Sequence, residues 1–327
     1  MFILCIAPVL LFAGEKEPKF DSTFIKSFHH DITLKCYGNS KWNSFTQHEG
    51  KNQSLDYRIN NPFKIGFGLS YRWFNILATV ITPFPIDEYK KGKTTHFDFR
   101  FNIYTRSKVA DIWFQFYNGY YLANSNKAIP GWNNSKAYYL RPDIKVSSLG
   151  GVMYFNLNKR EFSFKASFSQ TDRQLKSAGA PIVAVNWSAF TAAGDSAFLP
   201  PMLKTTFAPE LQVQSITAIT MGVGGGYAYT YVFKKHWFAS LSATLFLVAQ
   251  SHSYVLQGNP APRVQPDLNF NFLSRGAMGY NTDTDYYGLV FIADNIPLGK
   301  KNGSSFNYSF GTVNLMYAHR FNLDKLW

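Results

Sequence analysis

The chain has 327 residues, including 31 Phe and 20 Tyr; aromatics make up 18% of it and charged residues only 16%. After the first few residues no apolar run approaches the ~18–20 residues of a spanning helix, which excludes a helical membrane protein. The formal charge is +13, but Lys and Arg are scattered and no nucleic-acid motif accompanies them, so nucleic acid is not an expected partner.

Residues 1–14 hold a short apolar run, MFILCIAPVLLFA, followed by Gly14 and a charged stretch, and read as a secretory signal. Residues 15–29 form a polar periplasmic lead, and 30–327 form one domain. Its unit is a strand in which apolar and polar side chains alternate, because successive side chains point to opposite faces. Residues 31–37 make the first. They are followed by a turn-rich loop at 38–61 with a short strand near 55–59. Residues 63–71 place Phe63, Ile65, Phe67, Leu69 and Tyr71 on one face. A tight turn near 73–75 leads to 76–81, and a Pro- and Lys-containing loop to residue 93. Residues 94–105 alternate most clearly, with Phe97, Phe99, Phe101 and Ile103 opposite His96, Asp98, Arg100, Asn102 and Tyr104. Residues 111–121 follow a short turn, and 122–143 read as a long loop.

Residues 145–177 read as a hairpin whose short turn is Asn156-Leu157-Asn158-Lys159. In its second arm Phe162, Phe164, Ala166 and Phe168 oppose Glu161, Ser163, Lys165, Ser167 and Ser169. Residues 178–201 are less regular. Further strands are expected at 211–233, bent at Gly224-Gly225-Gly226, and at 237–248, 267–278, 285–294 and 305–321. The last changes phase near Gly311, which predicts a β-bulge. When so many strands are greasy on one face and polar on the other, the pattern is that of a transmembrane antiparallel up-and-down β-barrel, lipid outside and polar lumen inside.

Parity sets the strand number. Short turns near 74, 107, 158 and 235 belong on the periplasmic side, and an even number of strands must separate them. Three candidates lie between 158 and 235. Residues 181–190, flanked by Gly and Pro, are expected to form a non-spanning excursion near 178–210, outside the barrel or folded into its mouth. Twelve strands remain, within a range of 10–14. Trp327 ends the chain on an aromatic, as barrel proteins often do.

Several runs resemble a known family. They are Tyr120-Tyr121-Leu122, Arg141-Pro142-Asp143, Tyr154-Phe155-Asn156 with Lys159-Arg160 and Phe162-Ser163, Ser169-Gln170, Lys176-Ser177-Ala178-Gly179, Gly226-Tyr227-Ala228-Tyr229-Thr230 and the Gly-rich strand at 66–71. In combination they are similar to a domain-of-unknown-function family (number 4421) of Bacteroidota outer-membrane proteins, over about residues 30–321. Ala180-Pro181 departs from the Ser-Phe expected there. The resemblance implies a barrel and an outer-membrane location, and brings no catalytic residue.

Nine charged side chains fall on the expected inner faces: Lys64, Arg72, His96, Asp98, Arg100, Asp111, Glu161, Lys165 and Arg320. Both signs occur on neighbouring strands, so they read either as an ion-pair network holding the barrel in shape or as the lining of a solute path. Ser27, His29 and Asp31 share a face at two-residue spacing, but same-face neighbours on a strand lie ~6.6–7 Å apart, too far for a nucleophile and its base. The seven His lack metal-ligand spacing, and no cofactor is expected. The expected role is a non-enzymatic outer-membrane barrel, a pore or transport component or a structural partner. It would be surrounded by outer-membrane lipids, with lipopolysaccharide a candidate contact, and its protein partner would be unknown. The alternatives are a barrel enzyme acting on lipid or peptide, with His96 and Asp98 its crude candidates, and a soluble secreted β-rich binding protein.

Overall fold

Strand edges inside hydrocarbon must be paired, so a chain of two-faced strands closes into a ring. The computed structural model describes residues 19–49, 53–72, 74–81, 87–133, 136–203, 212–301 and 304–322. The expected signal and Trp327 lie outside these. In order the strands are β1 (Ile25–Ser27), β2 (Asp31–Glu49), β3 (Gln53–Arg58), β4 (Lys64–Tyr71), β5 (Phe74–Ile81), β6 (Thr95–Tyr104), β7 (Lys108–Leu122), β8 (Tyr139–Asn156), β9 (Asp172–Gln174), β10 (Ala178–Ala193), β11 (Val213–Phe233), β12 (Trp237–Leu256), β13 (Asn259–Asn281), β14 (Asp285–Lys301) and β15 (Ser304–Asn322). A one-turn helix, α1 (Phe164–Phe168), lies between β8 and β9.

Every pairing is antiparallel. β2, β4 to β8 and β10 to β15 form a ring of 12 strands that closes where β15 pairs with β2. The expected strand number is therefore borne out. Asn322 pairs with Asp31, so the ring begins and ends at the same rim, called the lower rim below. The outer face carries an apolar belt that includes Phe67, Phe97, Phe99, Phe114, Leu245 and Phe270, all exposed. Aromatics flank its lower edge, among them Tyr231, Trp237, Tyr287 and Tyr317.

The interior departs from expectation in two places. Residues 162–169 are not a strand. They enter the lumen from the lower rim, contain α1, and are buried throughout. The following residues form β9, which pairs with β1 of the N-terminal lead. Together they plug the lower end. Alternation shows that two faces differ, but not what each face meets; here the Phe face packs on lumen aromatics, with Phe168 stacked on Tyr104 at 6.4 Å. Residues 178–193, expected to leave the ring, are instead β10, paired to β8 and β11 along the wall. Parity was right that one of three segments cannot span, and the choice between them was wrong. Pro181 sits one residue before pairing with β8 begins, where a missing N–H is tolerated. Only the later part of the expected excursion enters the upper mouth. Phe198 is fully buried there, and its carbonyl accepts from Tyr57 Oη and, at 3.0 Å, from Arg141 Nη1.

The expected bulge at Gly311 is absent. β15 keeps one register against β2 from Ser304 to Asn322. Phe306, Tyr308 and Phe310 therefore face inward with Asn314, Met316 and Arg320. The apolar face changes sides because the lumen is aromatic at that level: Phe190 lies 4.6 Å from Tyr308 and Trp113 5.4 Å from Phe310, centroid to centroid. The stretch read as a loop at 38–61 is mostly the upper half of β2 together with β3.

Buried polar groups tie the plug to the wall. Asp172 accepts from Ser163 Oγ at 2.7 Å and pairs with Arg106 at 3.4 Å and Lys165 at 3.8 Å. Lys35 Nζ donates to Asn75 Oδ1 at 2.7 Å and to the Ser169 carbonyl at 3.0 Å, and Arg320 Nε donates to the Gln170 carbonyl at 2.8 Å. Asp172→Ala leaves Arg106 and Lys165 buried without their shared carboxylate. It is expected to cost about 3–5 kcal/mol in urea unfolding of the reconstituted barrel. Asp56→Ala, which removes a partly exposed pair with Arg58 and a 3.3 Å hydrogen bond from Thr46 Oγ1, should cost less, about 1 kcal/mol. Equal costs would contradict the buried tether.

Candidate functional site

Two ring strands change partners partway along. β2 pairs with β4 from Ile32 to Asn39, then with β3 from Ser44 to Glu49. β7 pairs with β6 from Val109 to Asn118, then with β3 at Tyr121 and Leu122. Above the switch, β3 alone bridges β2 to β7. Below it, β4, β5 and β6 fill the same interval, and there the wall is incomplete. β5 and β6 pair only at Phe74 with Ile103 and Asn75 with Asn102. Among the described residues, the facing edges beyond that point, 76–81 and 95–101, have no strand partner.

The fork encloses a cleft of about 590 Å³. A crosspiece roofs it: Asn60 Nδ2 donates to the Gly92 carbonyl at 2.7 Å, Asn61 Nδ2 to the Lys41 carbonyl at 3.1 Å, and Thr94 Oγ1 to the Gly119 carbonyl at 2.7 Å. Gly119 takes φ +91°, and a Cβ there would strike the Lys93 carbonyl, so only glycine lets the two segments approach this closely.

The inner wall of the cleft is polar. Lys41 Nζ lies 2.9 Å from Asp98 Oδ2, which also accepts from Tyr117 Oη at 2.7 Å. Lys64 Nζ lies 2.6 Å from His96 Nε2, and that ring stacks on Tyr117 at 5.6 Å. Asn39 Nδ2 donates to Thr312 Oγ1 at 2.6 Å and Asn314 Oδ1 at 2.5 Å. Arg100 faces Asp294 at 3.6 Å. The outer rim is apolar and exposed at Ile76, Phe97 and Phe99.

Of the nine charged residues singled out from the sequence, Lys64, His96, Asp98 and Arg100 meet at this cleft. Asp111 is buried lower down, accepting from Asn102 Nδ2 and Arg275 Nη2, both at 2.5 Å. Lys165 lies within the plug, paired with Asp172, and Arg320 holds the plug from β15. Arg72 and Glu161 do not face the lumen. Arg72 sits exposed in the lower turn at φ 54°, its guanidinium 5.1 Å from the Tyr71 ring centroid. Glu161 is in the turn before α1, so the row expected to join it to Lys165 does not exist. His96 and Asp98 have different partners and form no dyad. Asn39 and Lys41 were missed because they lay in a stretch read as a loop. The parity of Lys35 and Tyr37, carried on through Asn39, Lys41 and Asn43, would have placed them inside. Arg141 was missed too; it binds Asp143 through Nε and Nη2 at 2.8 and 2.7 Å while its Nη1 holds the mouth segment. No group of three or more His, Cys, Asp or Glu gathers as a metal site among the described residues.

A family model described as a domain of unknown function, DUF4421, matches residues 19–321. No curated protein matches the chain. Among solved structures, the outer membrane protease OmpT from Escherichia coli is similar at 8% identity and TM-score 0.38, covering 90% of this chain and 98% of its own. The toluene transporter TodX from P. putida is similar at 5% identity and TM-score 0.23, covering 89% and 90%.

A double-mutant cycle of Lys41→Ala and Asp98→Ala tests whether the two close the inner wall together. A coupling of about 0.5–3 kcal/mol is expected in the unfolding free energy. Additive single effects would show that the pair contributes nothing jointly.

Proposed function

The chain belongs to the DUF4421 family, and from that premise we propose that it is a non-enzymatic outer-membrane barrel, closed along its axis, that serves as a transport component or structural partner with its accessible compartment at the side of the wall. The carrying observation is the buried plug at residues 162–174, held by Lys35, Arg106 and Arg320. A second obstruction is the mouth segment around Phe198. Between them, Phe45, Phe190, Phe306, Tyr308 and Phe310 fill the upper lumen. The exposed apolar belt supports the membrane setting, because soluble chains rarely expose so much contiguous apolar surface. In this reading the lower rim, where β2 begins and β15 ends and where the plug lies, faces the periplasm. The lipids around the belt are those of the outer membrane, lipopolysaccharide among them. A catalytic role is disfavoured because His96 and Asp98 are each engaged with other groups and lack a nucleophile between them.

The barrel should migrate faster unboiled than boiled in detergent electrophoresis, and the purified chain should give no steady conductance in a planar bilayer. A constant ohmic conductance from the unaltered chain would overturn the closed axis. Identical migration before and after boiling would favour a soluble fold.

A further inference from the structure

The fork leaves strand edges open where the wall faces hydrocarbon. From Asn102 up to His96 is six residues, about 20 Å of strand at the usual rise. Phe97 and Phe99 on this stretch belong to the exposed belt, as do Phe114 and Phe116 on the adjoining β7. Backbone N–H and C=O groups at such depth are tolerated only beside protein or a polar cavity. Here the cavity is the cleft, and its character changes across the wall: cations and amides inside, Ile76, Phe97 and Phe99 outside. The charges within it do not balance. Lys41 is matched by Asp98 and Arg100 by Asp294, whereas the contact found for Lys64 is an imidazole. Among the described residues no carboxylate lies within ion-pair distance of Lys64. Its ammonium retains donors for an anion, and a charge-assisted bond in this setting is a strong one.

Building on the membrane-barrel reading above, we propose that the β5–β6 fork is a lateral binding site for a single-chain anionic amphiphile of the fatty-acid class. Its carboxylate sits on Lys64 Nζ beside His96, and its chain leaves between Ile76 and Phe99 into the bilayer. The volume sets the class. A cleft of about 590 Å³ lies within the ~300–1,000 Å³ of small-molecule sites and cannot take in a whole diacyl lipid or lipopolysaccharide. The mixed lining sets the polarity, since a neutral hydrocarbon would leave Lys64 unpaired and a small anion would leave the apolar rim unused. The closed axis makes the side of the wall the route by which such a ligand enters.

The test uses the full chain in nanodiscs of zwitterionic phosphatidylcholine, with a palmitate carrying a photoreactive diazirine on its chain as probe. Adducts mapped by mass spectrometry should concentrate on residues 74–81 and 95–104. Excess palmitate should displace the probe and methyl palmitate should not. Lys64→Gln should lower labelling of these segments roughly tenfold. Ala78→Trp, which fills the rim with a bulky ring, should lower it as well. The heat shift of each variant confirms that it is folded. If Lys64→Gln does not fold, Ala78→Trp and the methyl-ester competition in the parent decide the matter. Adducts spread evenly around the belt would overturn the site. So would focused labelling that both variants leave unchanged. Displacement by anionic phosphatidylglycerol but not by palmitate would overturn the single-chain assignment. A parent chain with no heat shift would instead remove the membrane-barrel reading itself.

Discussion

A backbone in hydrocarbon has no water to bond to, so each strand needs a partner on both edges. That requirement governs most of this molecule. Twelve strands close on themselves, and β10 to β13, the longest run of fully paired wall, satisfy one another over nearly their whole lengths. The requirement is relaxed where β2 and β7 exchange the β4–β5–β6 panel for β3, and again above Phe272 and Asn295, where β13 and β14 stop pairing. Because the panel is three strands wide and its replacement one, the two cannot join smoothly, and the mismatch opens as the fork. Asn60, Asn61, Thr94 and Gly119 roof it through side-chain and backbone bonds rather than a ladder.

The lumen meets its own requirement differently at its two ends. Near the lower rim, charged groups withdrawn from water are matched within a small volume. Asp172 gathers Arg106, Lys165 and Ser163, and Asp111 gathers Arg275 and Asn102, while the Arg275 guanidinium lies 4.3 Å from the Tyr154 ring centroid. Removing one partner from such a set leaves an uncompensated charge, which is why the plug is better regarded as part of the wall than as a door. Higher up, aromatic rings fill the space. The cleft lies between these regimes, with enough polar groups to hold a charged head and an apolar rim open to the outside.

Much of the fold was legible because the strand period is two and the barrel solvent is two-sided. The clear alternation at Thr95–Tyr104 placed Asp98 and Arg100 inside and Phe97 and Phe99 outside, and the structure agrees. The same rule failed at Phe162–Ser169, whose pattern is as clean as that of β6. A Phe row fits an aromatic lumen as well as it fits lipid, so pattern alone could not tell plug from wall. It failed in the same way on β15, where a change in lumen polarity imitated a bulge. β10 was hidden for the opposite reason: its inward Ala180, Ile182 and Ala184 contrast little with its outward Val183 and Val185. The site was half legible. Its charges on β4 and β6 could be read, but Lys41 could not be placed without knowing that β2 runs on past Gly38. The fork itself depends on which strands pair, and that is absent from any local pattern.

The account rests on β5 and β6 being unpaired above Asn75 and Asn102. Hydrogen–deuterium exchange of the full chain in nanodiscs reads this directly. In an antiparallel ladder alternate residues bond to opposite neighbours, so about half the amides of residues 95–101 face β7 and half face the fork. The fork predicts fast exchange for the second half of these amides and for the matching half of residues 76–81, against slow exchange throughout Ile216–Phe233 of β11. Uniform protection of residues 76–81 and 95–101, at the level of β11, would mean that the wall is continuous there and that the cleft has no opening to the bilayer.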